Sequence, residues 1–467
     1  MSKLRFALVA LMGAALAALS AVALTPGTSA QSDEPPPPLG AGTSAEVQRI
    51  LGEMKTSSVE SYDRKLVSFG TRHTLSSQTD PKRGIGAARD WIYSEFKKSA
   101  AKSGGRMTVE KQSFVAPAGP RVPEPTTVTN VVATLRGATN PERTYVVSGH
   151  YDSRCSDVMD ATCDAPGADD DASGVSAVLE MARVMASRKF DATIVFMAVA
   201  GEEQGLLGST YYAEQAKQSG RRIDGMFTND IVGSSLGQNG LREPNTVRLF
   251  AVGPYFDETL QEAADRRTTG SENDTPARQL ARYAKDVADQ APTDMSVRIV
   301  YKRDRYLRGG DHIPFLDRRY PAARFTEVNE DYRHQHQNVR VEDGTQFGDL
   351  LQFVDFGYMT RVAKVNAATL AGLASAPGIM SGVRVHTGQL SVDTDLEWDP
   401  SPEADLAGYE IVYRDTIQPY WTHTIRVPKD TTRYVVKGIT KDNYLFGVRA
   451  IDTEGNRSPV AFPKPVQ

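Results

Sequence analysis

The sequence predicts an α/β fold, a sheet with helices on its faces, followed by a smaller all-β unit. Three observations lead there. Short apolar, β-branched runs occupy residues 131–135, 145–147 and 193–199. The second and third are followed by turn residues and then by helical periodicity, the alternation expected of an α/β sheet. After residue 383 the pattern changes to alternating strands separated by turns. A chain of 467 residues has room for both units.

In order along the chain, Met1, Lys3 and Arg5 precede an apolar run at 6–24 and small residues up to Ala30. This reads as a secretory signal peptide over residues 1–30; a membrane anchor is the alternative, and the small-residue stretch favours cleavage. The expected location is secreted or periplasmic, and no later stretch is apolar enough to span a bilayer. Residues 31–43, with four consecutive prolines at 35–38, read as a disordered linker. The main folded unit is expected over residues 44–376. Val47, Ile50, Leu51 and Met54, and again Ala88, Trp91, Ile92 and Phe96, are spaced as amphipathic helices. A last helix is expected over 349–373, broken at 374–378. The β unit, 378–467, has predicted strands at 390–398, 408–414, 424–427, 433–436 and 443–450, with Trp398, Tyr409 and Tyr444 placed for burial. It carries no evident chemistry, so a cut after about Ala376 is expected to leave a folded, active main unit.

Cys155 and Cys163 lie close together in a polar loop of an exported chain and are read as a disulfide; two thiols alone are too few for a closed zinc site. The net charge of -4 is mixed in sign and lacks the basic excess that nucleic acid requires.

The chemistry collects at strand ends. The strand at 144–148 runs into Gly149, His150, Tyr151 and Asp152, and ligands bind beyond the carboxyl ends of strands in open α/β sheets. A lone His there is more often structural. Here, however, Asp169, Asp170 and Asp171 stand side by side just before a helical pattern. Capping accounts for one of them at about 1 kcal/mol; three leave charge that a divalent cation would neutralise. The strand at 193–200 delivers Glu202 and Glu203, whose side chains diverge, so that one can hold metal while the other faces substrate. Asp230 ends a further apolar run.

Together His150, Asp170, Glu202, Glu203 and Asp230 resemble, in order and wording, the leucyl-aminopeptidase-like zinc exopeptidases of clan MH. The resemblance spans roughly residues 44–375 and includes Phe69-Gly70-Thr71-Arg72, Asn130-Val131-Val132 and Tyr320-Pro321-Ala322-Ala323. It implies a three-layer zinc-exopeptidase sheet and two Zn²⁺ per chain. His150 and Asp230 would bind one ion, Glu203 would bind the other, Asp170 would bridge them, and Glu202 would be the general base. It also implies a cis peptide between Asp170 and Asp171. The closing His departs from the family wording: counting back from Asn338 selects His334, with His336 as the near rival. Asp311 and His312 resemble a segment lining the substrate pocket. The last unit resembles a fibronectin type III domain, an immunoglobulin-like sandwich, for which a protein or glycan is the candidate ligand.

The function implied is a secreted zinc aminopeptidase acting on peptides. A carboxypeptidase or deacylase of the same clan uses the same ligands. A non-catalytic receptor or adhesion protein on this fold is the alternative of a different class, disfavoured by the self-repelling acidic set.

Overall fold

Residues 44–467 are described in the computed structural model; the signal-peptide and linker segments, 1–30 and 31–43, lie outside the described residues. The chain begins with α1 (Ala45–Glu53), α2 (Thr56–Val67), α3 (Ile85–Ala100), β1 (Met107–Ala116), β2 (Thr126–Leu135) and β3 (Asn140–His150). There follow α4 (Ala172–Met185), β4 (Ala192–Val199), α5 (Leu207–Gln218), β5 (Arg222–Asn229), β6 (Thr246–Ala251), α6 (Leu260–Thr269), α7 (Pro276–Gln290) and β7 (Ser296–Val300). Then come α8 (Ile313–Leu316), β8 (Ala322–Thr326), β9 (Arg340–Glu342), β10 (Thr345–Phe347) and α9 (Phe356–Ser375).

Eight of these strands form one sheet in the order β1-β2-β4-β3-β5-β8-β6-β7. Its centre, β4-β3-β5-β8, is parallel. Every residue of β4 is buried, as a strand covered on both faces requires. Alternation assigns the faces. Val147, Phe196 and Phe227 join a core cluster shared with α1 to α4, α7 and α9. Val146, Val195 and Met226 join the opposite cluster, with Tyr212 of α5 and Phe315 of α8. Helices therefore cover both faces, as the sequence predicts. Among the described residues, no helix is long and apolar enough to cross a membrane.

The last helix starts at Phe356, seven residues later than the sequence pattern predicts. Asp355 is its N-cap, accepting from Tyr358 N at 2.9 Å. The preceding segment is diverted because the Asp349 carboxylate accepts from the backbone N–H groups of Asp169 and Asp170, at 2.8 and 2.7 Å. An apolar period cannot reveal that demand.

The rest of the chain is all β: β11 (Arg384–His386), β12 (Thr394–Glu397), β13 (Leu406–Asp415), β14 (His423–Pro428), β15 (Arg433–Val436), β16 (Tyr444–Asp452) and β17 (Lys464–Val466). They form a four-stranded sheet, β15-β12-β11-β17, and a three-stranded sheet, β14-β13-β16. One apolar cluster, including Leu396, Trp398, Tyr409, Ile411 and Val448, lies between them. Trp398 meets Tyr409 edge-on at 5.5 Å. The predicted strand at 390–398 shortens to Thr394–Glu397, leaving Leu390 and Val392 exposed. The three-residue strands β11 and β17 are too short for sequence periodicity to show.

The β unit is packed against the sheet unit through buried charge. Arg414 Nη2 donates to Asp274 Oδ2 at 2.7 Å, and Arg282 Nη1 to Asp274 Oδ1 at 3.1 Å, with all three side chains almost inaccessible. Arg282 Nε also reaches Pro419 O at 2.7 Å, and Trp421 Nε1 reaches Gln279 Oε1 at 3.1 Å. Buried Arg143 donates to Ala376 O and pairs with Glu403 at 3.2 Å. These contacts explain why α7 is buried without a break from Ala277 to Ala284. A cut after Ala376 would remove Pro419 O from Arg282, Glu403 from Arg143 and Arg414 from Asp274, and would expose the face of α7 that these contacts bury.

Two predictions follow from this packing. Arg414→Ala leaves Asp274 half-paired and should cost about 3–5 kcal/mol in urea unfolding; an unchanged midpoint would show that the two units are energetically independent. Within the β unit, Glu410 accepts from Arg426, Arg449 and Arg457 at 3.0, 2.8 and 2.8 Å. Burial alone would raise its pKa, but the guanidinium groups overcome burial and hold it at about 2, against 4.5 when free. A depressed folded pKa means stabilisation that is complete above pH 4.5 and lost as pH falls toward 2. Glu410→Gln should flatten the acid limb of the unfolding curve in that window, as followed by circular dichroism.

Candidate metal centre

Strand order fixes where the acidic residues meet. β3 lies between β4 and β5, all three parallel, so their carboxyl ends share one edge of the sheet. His150 ends β3, Glu202 and Glu203 follow β4, and Asp230 follows β5. The start of α4 is drawn against β3 by two glycines: a Cβ on Gly149 would lie 2.5 Å from the Gly174 backbone carbon. That approach sets Asp170 beside His150. The Asp170–Asp171 peptide bond is cis, and so is Asp230–Ile231.

The three consecutive aspartates have separate duties. Asp169 accepts from Gly233 N at 2.7 Å. Asp171 caps α4 through Gly174 N at 3.0 Å and accepts from His150 N at 2.9 Å. Asp170 alone turns into the site, with Oδ1 3.1 Å from His150 Nε2 and Oδ2 2.9 Å from His336 Nε2.

Two triads result, His150-Asp170-Asp230 and Asp170-Glu203-His336, each with ligand atoms within 4.8 Å of one another. Asp230 Oδ2 lies 3.9 Å from His150 Nε2, and Glu203 Oε1 lies 2.8 Å from His336 Nε2. A tetrahedral zinc with bonds of 2.0–2.1 Å spaces its donors about 3.3 Å apart, so these separations bracket a zinc site. The donor set also demands positive charge. Apart from the His336 imidazole, Glu203 Oε1 is buried without a polar partner. Burial lowers the His336 pKa, yet Glu203 and Asp170 push it up to about 9. The residues present therefore fit the metal.

Further residues hold the donors. His150 Nδ1 faces the Asp152 carbonyl oxygen at 3.1 Å, which can only accept, so the proton sits on Nδ1 and Nε2 offers its lone pair. The Asp152 carboxylate accepts from Glu203 N at 3.0 Å and Glu202 N at 3.3 Å, fixing the turn after β4. Arg324 Nη2 binds Asp230 Oδ1 at 2.7 Å, aiming the other oxygen at the site. Glu202 belongs to neither triad. It lines the cavity, and its carboxyl is driven well above the usual range by burial and by Asp230 and Glu203.

Three sequence assignments need correction or reassignment. His336 stands beside Asp170 and Glu203, whereas His334 stacks on Phe353 at 3.5 Å between ring centroids. The backbone at His336 is left-handed, φ 53°, and swings its ring back to the site. Counting from Asn338 failed because Asn338 is engaged elsewhere, exchanging hydrogen bonds with Ser156 at 3.1 and 3.0 Å. Asp311 and His312 are fully buried and do not line the cavity; His312 Nε2 lies 2.8 Å from Arg303 O. The preceding loop lines it instead, through Arg305, Leu307, Arg308 and Gly309. Arg305 and Arg308 were missed although arginine is dense at 303–308; Arg121 and Arg154, which also line the cavity, stand outside any such run. Cys155 and Cys163 are disulfide-bonded.

The fold and this donor set define a metallopeptidase-like centre in an α/β sheet. The chain belongs to peptidase family M28, whose profile matches residues 130–343. A probable zinc metalloprotease of Leptosphaeria maculans is 50% identical over 420 residues, 90% of this chain and 97% of that one. One from Pyricularia oryzae is 49% identical over 451 residues, 94% of this chain and 89% of that one. Among solved structures, LapA of Legionella pneumophila shares the fold with a TM-score of 0.50 at 21% identity, over 71% of this chain and 76% of its own. The protein is a zinc metallopeptidase of this family.

His336→Ala should lower zinc affinity by at least about 100-fold, the upper cost of losing even an indirect ligand support, and His334→Ala should leave it unchanged. Elemental analysis after dialysis against a graded chelator checks both.

Proposed function

We propose that the protein is a secreted aminopeptidase that holds two zinc ions and releases N-terminal residues from peptides, with Glu202 as its general base. The observation that carries this reading is the Asp170 carboxylate, one oxygen in each triad, beside a Glu that belongs to neither. The cavity, about 470 Å³, suits the end of a peptide rather than a long segment. Secretion rests on the apolar N-terminal segment, and a fibronectin type III-like identity for the β unit rests on its sequence wording and its two sheets about one core.

Zinc bound at the triads would supply Lewis acidity toward the scissile carbonyl and lower the pKa of an attacking water toward about 7. Glu202 takes the proton from that water as its oxygen adds to the carbonyl carbon. It then returns the proton to the nitrogen as the C–N bond breaks, so the amine leaves neutral. Asp152 keeps Glu202 and Glu203 in register for these separate duties. No covalent enzyme intermediate is required. A carboxypeptidase of the same clan is the second reading, favoured by the arginines in the cavity.

Glu202→Gln keeps size and hydrogen bonding but removes the proton acceptor, so kcat should fall about 100- to 10,000-fold with zinc content unchanged. Glu203→Gln should instead lose metal and regain activity with added zinc. The reverse pattern, in kinetics on an aminoacyl p-nitroanilide and in elemental analysis, would mean that the two roles are exchanged.

A further inference from the structure

The cavity over the two triads carries a basic wall that peptide-bond hydrolysis does not itself need. Apart from the metal donors and Glu202, its charged lining consists of four arginines, Arg121, Arg154, Arg305 and Arg308. They form two pairs with different commitments. Arg121 Nη1 donates to Glu203 O at 2.7 Å; Arg154 Nε donates to Glu203 Oε2 at 2.9 Å, and its Nη2 lies 2.7 Å from His336 Nδ1. This pair is occupied in holding Glu203.

Arg305 acts on Asp230, and Arg308 touches Gln335, whose Nε2 donates to Asp170 Oδ2 at 3.0 Å; around this second pair positive charge is in excess. Arg308 Nη1 reaches Glu330 at 3.2 Å and Gln335 at 2.7 Å. Arg305 reaches the same Glu330 at 2.8 Å and Asp304 at 3.2 Å. Glu330 also accepts from Arg248 at 2.8 Å, and Asp304 from Arg324 at 3.1 Å. Arg324 also holds Asp230, so three carboxylates, one of them a metal donor, serve four guanidinium groups. Within the described residues, Arg308 makes its hydrogen bonds through Nη1, and its side chain is 26% exposed. Its Nε and Nη2 are left to meet an incoming ligand. Leu206 and Leu307 complete this wall with apolar surface.

Resting on the peptidase reading above, we infer that Arg308, backed by Arg305, binds a carboxylate of the substrate, so that the enzyme selects short peptides carrying one within reach of the metal centre. A planar guanidinium presents parallel N–H donors matched to carboxylate geometry, which a lysine or an amide cannot reproduce. Partial burial strengthens the pairing by excluding water. The carboxylate has two sources, an acidic side chain or the free C-terminus of a short peptide.

Four matched substrates separate them: Leu-Gly, Leu-Gly amide, Leu-Glu amide and Leu-Gln amide. The wild-type zinc enzyme should show a lower KM for an acid than for its neutral partner, and the pair showing the difference identifies the source. Arg308→Gln should erase about 10- to 100-fold of that acid-to-neutral KM ratio, the loss of one charge-assisted bidentate contact, while leaving kcat ratios in place. Arg308→Lys should retain part of it. Added salt should narrow the ratio in the wild type. Calorimetric titration of zinc-loaded Glu202→Gln protein with Leu-Glu amide, Leu-Gln amide, Leu-Gly and Leu-Gly amide reads binding without turnover. Preference for an acid there, with no hydrolysis of any peptide by the wild type, would retain the carboxylate site and refute the peptidase. Equal binding of acid and neutral partners in both pairs, or an equal effect of Arg308→Gln on acids and amides, would overturn the inference.

Discussion

A carboxylate divided between two imidazoles cannot be placed by its own side chain alone, and much of the structure around Asp170 exists to place it. Its backbone N–H and that of Asp169 are held by Asp349, Asp171 ties α4 to β3, and Asp169 anchors the loop at Gly233. Behind it, burial and the neighbouring Asp169 push Glu327 well above the ordinary carboxyl range, while burial raises Asp169 to about 6. The two thus share a proton rather than adding two more negative charges to the buried set. Asp63 and Asp349 are driven upward by the same burial. Asp169, Glu327, Asp63 and Asp349 are thus raised toward neutrality, which limits the negative charge stored behind Asp170.

The sequence made much of this visible, for a definite reason. His150, Glu202, Glu203 and Asp230 each stand immediately after an apolar strand, and Asp170 stands immediately before a patterned helix, so periodicity alone places them at the edge where ligands bind. His336 has no such anchor. It lies in an irregular segment between β8 and β9, where spacing carries no geometric rule and a left-handed residue reverses direction. The same holds for the 303–310 loop: Asp311 and His312 look functional because of their residue types, yet it is the arginines before them that reach the cavity. Asp152 was read only as a companion to His150. Its service to two backbone N–H groups after β4 is a tertiary contact that no local pattern contains.

The β unit shows the same limit on a larger scale. Its strands and its buried Trp398 follow from alternation, and its own core is evident. What could not be read is that Arg414, on β13, would be buried against Asp274, which precedes α7. A charged residue in a strand normally signals a solvated face. Here the apparent surface charge is the interface, so the independence suggested by composition does not extend to the packing.

The irregular segment that supplies His336 depends on another loop for its position. Ser156 and Asn338 exchange backbone-to-side-chain hydrogen bonds, and Arg154 reaches both Glu203 and the imidazole. The loop carrying Arg154 and Ser156 is itself closed by the Cys155–Cys163 bond and begins just after His150. One covalently closed loop therefore connects the first donor of one triad to the last donor of the other. A short closure restricts the unfolded chain by roughly 2–3 kcal/mol in the entropy model, but its larger effect lies in the native state: it gives an otherwise free loop a fixed edge against which His336 can be set. Where strands position three of the five donors and the start of α4 a fourth, this cross-link and two reciprocal hydrogen bonds do the corresponding work for the fifth.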